Sequence, residues 1–239
     1  MAMFLDFDGT LVEIAKHPRE VFVAPSTRRT MDRLQKALGG AVAVVTGRDI
    51  GDIDRLFAPL HLPVAGVHGM ERRSHAGVLR EQKVNGEVLE TVAARLAPLL
   101  ASEPGLLLER KRGSLALHYR NRPDLKAACA RAMDAAVAGL VEIHLLRGKM
   151  VIEAKAGASN KGDAIGEFLG EPPFAGRVPF FAGDDVTDED AFAAVNARGG
   201  VSIKVGAGGT RARYRAASIP AFLGWLDGVA GQLEGARDP

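Results

Sequence analysis

The sequence predicts an α/β protein, built as a doubly wound parallel sheet with a second, α+β domain inserted into it. Short apolar runs without polar alternation recur in both end portions of the 239-residue chain, and helical patterns follow them. Only 5% of the residues are aromatic, as is typical of closely packed helix–sheet layers rich in small aliphatic side chains. Between residues 84 and 156 this rhythm gives way to paired strands around a helix.

The two end portions, residues 1–83 and 157–239, are predicted to form the sheet domain together. Continuous Val, Ile and Phe runs are typical of strands buried on both faces, and strand–helix alternation gives a parallel sheet. The predicted strands are 3–7, 41–45, 64–67, 178–182 and 201–205, and the predicted helices are 26–38, 49–57, 160–169, 188–196 and 219–233.

The middle portion, residues 84–156, is predicted to be the inserted domain. Its pattern consists of a helix at 87–100, strands at 105–110 and 114–119, a helix at 123–138, and strands at 141–146 and 150–154. Paired strands around a helix indicate an α+β module with an antiparallel sheet.

The composition argues against several classes of function. The formal net charge is +2 and no long Lys/Arg tract occurs, so no nucleic-acid partner is expected. Cys129 is the only cysteine, which excludes an intramolecular disulfide and a cysteine-based zinc site. Neither a signal peptide nor a run long enough to span a bilayer is recognisable. We therefore expect a cytoplasmic protein without a membrane or an obligate protein partner.

Four polar clusters either follow an apolar run directly or open a helix. They are DFDGTL (6–11), TGR (46–48), NKG (160–162) and GDDVTDE (183–189). Taken singly, each also fits a turn or a helix cap. The carboxyl ends of parallel strands share one edge of a sheet, where ligands bind, so their order and placement favour one common site.

The residue types in these clusters suit phosphoryl transfer assisted by magnesium. In a strand, Asp6 and Asp8 would point to the same side, and with Asp184 they offer hard oxygen ligands that suit Mg²⁺ better than zinc. A cation would also let an anionic nucleophile approach a phosphate. Thr46 offers a hydroxyl and Lys161 a positive charge to phosphate oxygens, while a carboxylate can form an aspartyl phosphate.

In this order the clusters resemble those of the haloacid dehalogenase superfamily of phosphatases, which implies a Rossmann-like core with an inserted α+β cap domain. Within that superfamily the chain most resembles the trehalose-6-phosphate phosphatases, over nearly its whole length. The more specific strings are GVHGMER (66–72), ERK (109–111), HYR (118–120), GKMVIE (148–153) and GDDVTDE (183–189).

The resemblance implies a Mg²⁺-dependent hydrolysis of trehalose 6-phosphate to trehalose and inorganic phosphate. It implies Asp6 as the nucleophile that becomes phosphorylated, Asp8 as general acid and then base, and Thr46 and Lys161 as holders of the phosphoryl oxygens. The implied metal ligands are Asp6, the backbone carbonyl of Asp8, and Asp184, with Asp185 and Asp188 as direct or indirect support. The implied substrate contacts are Gly47, Arg48, His68, Gly69, Glu71, Glu109, Lys111, Lys149 and Glu153.

Three alternatives stay open on the sequence alone. The chain could be a phosphatase for another sugar phosphate, such as sucrose phosphate or mannosyl phosphoglycerate, or a phosphomutase that returns the phosphoryl group to a sugar. It could also be a catalytically silent sugar-sensing domain, although the intact polar clusters speak against this. The strings in the inserted portion favour trehalose 6-phosphate, but only by resemblance.

Overall fold

The structure, a computed structural model, describes residues 1–15, 17, 20–82, 86–111, 113–141, 143–157 and 159–236. These residues form two compact units. The core unit consists of Met1–Glu81 and Asn160–Pro239, and the inserted unit consists of Gln82–Ser159. The domain bounds 1–83, 84–156 and 157–239 stay a prediction, and residues 83–85, at the first bound, lie outside the described part of the chain.

The secondary-structure elements are numbered in chain order within the described residues. The strands are β1 (Ala2–Leu5), β2 (Val42–Val45), β3 (Val64–Gly66), β4 (Glu71–Arg73), β5 (Leu79–Glu81), β6 (Leu107–Lys111), β7 (Ser114–His118), β8 (Ile143–Gly148), β9 (Val151–Ala156), β10 (Pro179–Gly183), β11 (Val201–Val205) and β12 (Tyr214–Ala216). The helices are α1 (Pro25–Ala37), α2 (Ile50–Phe57), α3 (Gly86–Ser102), α4 (Lys126–Val137), α5 (Lys161–Leu169), α6 (Glu189–Ala197) and α7 (Ile219–Gly235). Short 3-10 turns occupy Val67–Gly69, Pro123–Leu125 and Val186–Asp188. Among the described helices, none has both the length and the apolar character that crossing a membrane requires.

The core unit contains one sheet with the strand order β12-β11-β10-β1-β2-β3-β4-β5. The strands from β12 to β3 run parallel, and β4 and β5 are added antiparallel. Strands β1 and β2 are buried along their whole length, as continuous apolar runs predict. Helix α1 packs with α7 and helix α5 packs with α6. The α/β class predicted from the sequence is therefore confirmed.

Two details of the core differ from the predicted elements. The first strand ends at Leu5 rather than at residue 7, because the chain turns from Phe7 onward: the backbone N–H of Leu11 donates to the Phe7 carbonyl at 2.9 Å. Asp6 and Asp8 therefore lie beyond the strand, and alternation along a strand does not set their directions. Strands β4, β5 and β12 were not predicted.

The inserted unit consists of a fully antiparallel sheet, in the order β6-β7-β9-β8, with α3 and α4 on one face. Side chains alternate between the two faces of a strand, so Leu115 and Leu117 of β7 join Ile152 and Ala154 of β9 in an apolar core with the helices. The opposite, polar face carries Glu109, Lys111, Ser114, His118, Glu153 and Lys155. This arrangement confirms the predicted α+β class.

Candidate active site

The carboxyl ends of three neighbouring parallel strands bring the predicted catalytic residues together. In the sheet register, Leu5 at the end of β1 pairs with Val44 of β2 and with Ala182 of β10. The residues that follow these strands, Asp6, Thr46 and Asp184, are all buried. The backbone N–H of Asp6 continues the β1–β10 ladder by donating to the Ala182 carbonyl at 2.9 Å.

A buried cluster of charged groups surrounds Asp6. Asp6, Asp184 and Asp188 each contribute one carboxylate oxygen, and these oxygens lie within 4.8 Å of one another. Lys161 Nζ donates to Asp6 Oδ1 and to Asp188 Oδ1, both at 2.6 Å, and the Thr10 hydroxyl donates to Asp6 Oδ2 at 3.1 Å. The structure thus places the predicted nucleophile between the predicted phosphate-binding lysine and the acidic string.

The loop after β10 explains why Asp188 belongs to this cluster. Asp188 Oδ2 accepts hydrogen bonds from the backbone N–H groups of Asp184 at 2.8 Å and Asp185 at 2.9 Å, and these bonds fold the loop around the carboxylate. A Cβ on Gly183 would overlap the Asp188 carboxyl group, so a side chain at position 183 would displace Asp188. The Asp185 carboxylate caps the 3-10 turn by accepting the Val186 N–H at 2.7 Å. Ligation of a metal by Asp185 stays a prediction.

Lys161 is placed by the start of helix α5. Asn160 and Asp163 form a reciprocal capping box, in which each side chain accepts the other's backbone N–H at 3.0 and 3.1 Å. A lysine in the first turn is unfavourable to the helix dipole. The attraction of the Asp6 and Asp188 carboxylates offsets this unfavourable interaction with the dipole. The buried cluster, rather than the helix, therefore explains the position of Lys161.

Burial and mutual repulsion set the electrostatics of the cluster. Burial raises the pKa of Asp6, Asp188 and Asp184 raise it further, and Lys161 opposes them. For Lys161, burial alone would lower the pKa, but the charges of Asp188 and Asp6 outweigh it and raise the pKa. The Asp6 carboxyl is therefore harder to ionise than a solvated one unless a further positive charge is present.

The donor set fits a hard divalent cation. Lys204 of β11, which sequence reasoning missed, is buried and donates through Nζ to the backbone carbonyl of Asp184 at 2.8 Å. When all three buried carboxylates are ionised, they leave an excess of negative charge even with Lys161 and Lys204. Carboxylate oxygens gathered in this way are the ligands that Mg²⁺ prefers.

The predicted acid Asp8 is held by a residue that was predicted to contact substrate. Arg48 donates to both Asp8 oxygens, from Nε at 2.7 Å and from Nη2 at 2.8 Å, a bidentate geometry. The guanidinium also lies 5.3 Å from the centre of the Phe7 ring, and its Nη1 reaches Asp52 at 3.3 Å. The backbone N–H of Arg48 donates to the Thr46 hydroxyl at 3.1 Å. These contacts join two predicted clusters, DFDGTL and TGR.

The turn at residues 67–69 is pinned to the loop that carries Thr46. The backbone N–H of His68 donates to the Thr46 carbonyl at 2.9 Å, and a Cβ on Gly47 would lie 2.6 Å from His68 Nε2. Val67 and His68 have φ values of +46° and +53°, which is rare for any side chain and strained for a β-branched one. Such strain is often found at functional sites. Gly69 packs against Asn160, where a Cβ would lie 3.0 Å from the carbonyl oxygen.

Glu71 has a structural contact in addition to its predicted substrate contact. Its Oε1 accepts the backbone N–H of Ile50 at 2.6 Å, at the start of helix α2. A Cβ on Gly66 would lie 2.5 Å from the same oxygen, so the glutamate is closely packed against β3. The predicted contact between Glu71 and the sugar stays a prediction.

The polar face of the inserted unit gathers three of its four predicted substrate contacts. Lys111 Nζ lies 3.5 Å from Glu153 Oε2 and 3.8 Å from Glu109 Oε2. His118 belongs to the string HYR (118–120), which predicts no individual role for it; its Nε2 lies 2.8 Å from Glu109 Oε2. Burial alone would raise the pKa of Glu109, but the hydrogen bond from His118 and the charge of Lys111 lower it. Lys149 lies in the turn between β8 and β9, where it is exposed.

Gly9 offers a test of how tightly the cluster is packed. Its φ is +86°, and a Cβ there would overlap the Asp184 carboxyl group. An alanine in the left-handed backbone conformation costs about 1–2 kcal/mol. We expect Gly9→Ala to lower the free energy of unfolding by more than this. Urea denaturation measures this. Gly139→Ala is the matched control, because Gly139 has a φ of +79° and open space around it. Equal losses in the two variants would contradict the close packing.

Comparison with known proteins agrees with this geometry. Residues 4–220 match the trehalose-phosphatase family. The trehalose-6-phosphate phosphatase of Escherichia coli K12 is 38% identical over 237 residues, covering 99% of this chain and 89% of that protein. A solved structure of a trehalose-6-phosphate phosphatase related protein superposes with a TM-score of 0.80 at 27% identity, covering 99% of each chain. The C-terminal domain of the C. albicans trehalose-6-phosphate phosphatase shares the fold, with a TM-score of 0.87 at 22% identity, covering 96% of this chain and 91% of that one. The chain therefore belongs to the trehalose-phosphatase family, which confirms the resemblance carried by its sequence.

Proposed function

We propose that this chain is a magnesium-dependent phosphatase that hydrolyses trehalose 6-phosphate to trehalose and inorganic phosphate through a phosphorylated Asp6. The observation that carries the proposal is the setting of Asp6, which is buried between Lys161, Thr10 and two further carboxylates at the end of a central strand. The E. coli relative, matched over nearly the whole of this chain, is named for the same substrate.

In the first step an Asp6 carboxylate oxygen bonds to phosphorus as the bond from phosphorus to the sugar oxygen breaks. Lys161, 2.6 Å from Asp6, offers positive charge to the phosphoryl oxygens, and Thr46 at the end of the neighbouring strand offers a hydroxyl. The departing sugar alkoxide is a poor leaving group, so it needs a proton. Asp8, two residues from the nucleophile, is the group proposed to supply it.

In the second step Asp8 takes a proton from water, whose oxygen attacks phosphorus as the bond to Asp6 breaks. Inorganic phosphate is released and Asp6 is restored. In the structure Arg48 engages both oxygens of Asp8. A neutral carboxyl accepts hydrogen bonds more weakly than a carboxylate, so protonation of Asp8 weakens its contact with the Arg48 guanidinium. Guanidinium N–H groups released in this way are proposed to contact the substrate.

Asp6, Asp184 and the backbone carbonyl of Asp8 are the residues proposed to hold Mg²⁺, with Asp185 and Asp188 beside them. When bound, the ion supplies the positive charge that the cluster lacks and keeps neighbouring carboxylates ionised. The raised pKa of Asp6 supports this assignment, because a buried nucleophile has to be ionised to attack phosphorus.

The remaining predicted residues are proposed to recognise the sugar. Trehalose is uncharged and rich in hydroxyl groups, so carboxylates that accept and lysines that donate hydrogen bonds suit it. A site built to hydrogen-bond hydroxyls strongly rejects analogues that lack them. The proposed contacts are Glu109, Lys111, Lys149 and Glu153 of the inserted unit and Gly47, His68, Gly69 and Glu71 of the core unit. The single cysteine also supports the proposed cytoplasmic location.

Phosphate release from a panel of sugar phosphates, with and without Mg²⁺, tests the proposal. We expect trehalose 6-phosphate to be hydrolysed fastest, a chelator to silence the enzyme, and added Mg²⁺ to restore it. Full activity in excess chelator would reject the metal requirement. Faster hydrolysis of sucrose phosphate or mannosyl phosphoglycerate would identify that compound as the substrate instead. Transfer of the phosphoryl group to a sugar hydroxyl rather than to water would indicate a phosphomutase. No phosphate release from any compound would favour a silent sugar-sensing domain.

A further inference from the structure

The polar face of the inserted unit contains a row of hydrogen-bonding side chains. Across the sheet, Glu109 of β6 pairs with Ala116 of β7, which in turn pairs with Glu153 of β9. Neighbouring strands lie about 4.8 Å apart, so the backbones of the two glutamates stand about 10 Å apart, with the buried Ala116 between them. Lys111 Nζ bridges the two carboxylates, 3.5 Å from Glu153 Oε2 and 3.8 Å from Glu109 Oε2, so the row combines two acceptors with a donor.

Within this row the two oxygens of the Glu109 carboxylate differ in their contacts. Its Oε2 lies 2.8 Å from His118 Nε2, and Lys111 Nζ approaches the same oxygen at 3.8 Å. Among the described residues, no hydrogen bond engages Oε1. The Glu109 side chain is 28% exposed, so a ligand can reach it. An ionised carboxylate only accepts hydrogen bonds, so the proton of this contact lies on His118 Nε2.

The strand that carries His118 is fixed from its other face. Leu117 and Tyr119, the chain neighbours of His118, are buried in the apolar core with helices α3 and α4. The imidazole therefore projects to the polar face from an anchored backbone. An imidazole has only two rotatable side-chain bonds, so little conformational entropy is lost when it orients a partner.

We propose that His118 is a positioning residue for substrate recognition: its Nε2–H fixes one oxygen of Glu109 so that the other is presented to a sugar hydroxyl. This inference rests on the proposed function, because it takes Glu109 as a sugar contact. His118 itself does not touch the reacting atoms. Its effect reaches the substrate through Glu109, and it bears on selectivity for the sugar rather than on phosphoryl transfer.

The test compares His118→Phe and His118→Gln with the unmodified enzyme, using trehalose 6-phosphate and p-nitrophenyl phosphate. Phenylalanine keeps the ring shape but has no donor, whereas glutamine keeps an N–H donor. We expect His118→Phe to raise KM for trehalose 6-phosphate about tenfold at nearly unchanged kcat, as the loss of one charge-assisted hydrogen bond implies. His118→Gln should stay within about threefold of the unmodified enzyme. His144→Phe, an exposed histidine of the same sheet, is the matched control.

A double-mutant cycle shows whether His118 acts through Glu109. Glu109→Gln alone should lower kcat/KM for the sugar substrate relative to the aryl substrate, and adding His118→Phe should cause little further loss. Additive losses would overturn the inference. Losses for both substrates together with a lower melting temperature would overturn it too, because they indicate a structural role. If Glu109→Gln leaves sugar selectivity unchanged, Glu109 is not a sugar contact, and the inference about His118 is then overturned as well.

Discussion

The Asp6→Asn variant is expected to lose phosphate release by about 10⁴-fold or more, because an amide oxygen cannot form the acyl phosphate. The substitution is nearly isosteric, and the amide oxygen can still accept from Lys161, which also keeps its hydrogen bond to Asp188 at 2.6 Å. Single-turnover release of phosphate from trehalose 6-phosphate measures the effect. Substantial release by the purified variant would reject Asp6 as the nucleophile.

The same variant is expected to be at least as stable as the unmodified protein in metal-free solution. Burial raises the pKa of Asp6 above its ordinary value of 3.8, so folding favours the protonated carboxyl. The stability contributed by this group is present below pH 3.8 and is lost as the pH rises through the raised pKa. The stability of Asp6→Asn relative to the unmodified protein should therefore increase from pH 4 to pH 7.5. Melting curves in chelator at both pH values measure this, and a decrease would contradict the expected direction.

Lys161→Met is expected to have the largest effect on stability. It leaves the buried carboxylates of Asp6 and Asp188 without the ammonium group that lies 2.6 Å from each. Removing one partner of a buried ion pair costs about 3–5 kcal/mol, because the remaining charge stays desolvated and uncompensated. Urea denaturation in chelator measures the loss of unfolding free energy. Phosphate release should fall as well, since the proposed contact to the phosphoryl oxygens is removed.

Lys36→Met is the matched control for that experiment. Its ammonium group also lies 2.6 Å from a carboxylate, that of Asp32, but the lysine side chain is 75% exposed. Exposed pairs contribute little to stability, so this variant should unfold much like the unmodified protein. Mg²⁺ should return part of the stability lost in Lys161→Met, because it supplies positive charge to the same carboxylates. Similar losses in the two variants would contradict the assignment of Lys161 to the cluster, and no recovery in Mg²⁺ would contradict the proposed metal site.

Where buried apolar runs mark strands, the sequence was sufficient to predict the fold. Strands β4, β5 and β12 were not predicted, because each has only three residues, includes arginine and forms no apolar run. Strands β5 and β12 form the two edges of the sheet, and β4 joins β5 to the parallel strands. Pairing with a strand already in place, rather than local composition, determines their conformation.

The candidate site was predictable where short clusters follow strands, and less so where contacts join distant elements. Asp6, Lys161 and Asp184 meet as expected, since parallel strands end at one edge. The contact of Lys204 with the Asp184 carbonyl depends on the register between β10 and β11, which the sequence does not specify. The contact of His118 with Glu109 depends on strand pairing in the same way. A histidine ending an apolar strand gave no local signal of this role.

The pairing of β1 with β10 also determines when the site can assemble during synthesis. Leu5 pairs with Ala182, so the whole inserted unit has to leave the ribosome before the nucleophile meets its lysine. Contacts between such distant residues slow folding, because the intervening chain has to close first. The entropy of that closure grows only with the logarithm of chain length, about 0.6 kcal/mol for each doubling. The length of the insertion therefore has little influence on the stability of the core sheet, but it delays the moment at which a nascent chain can become active.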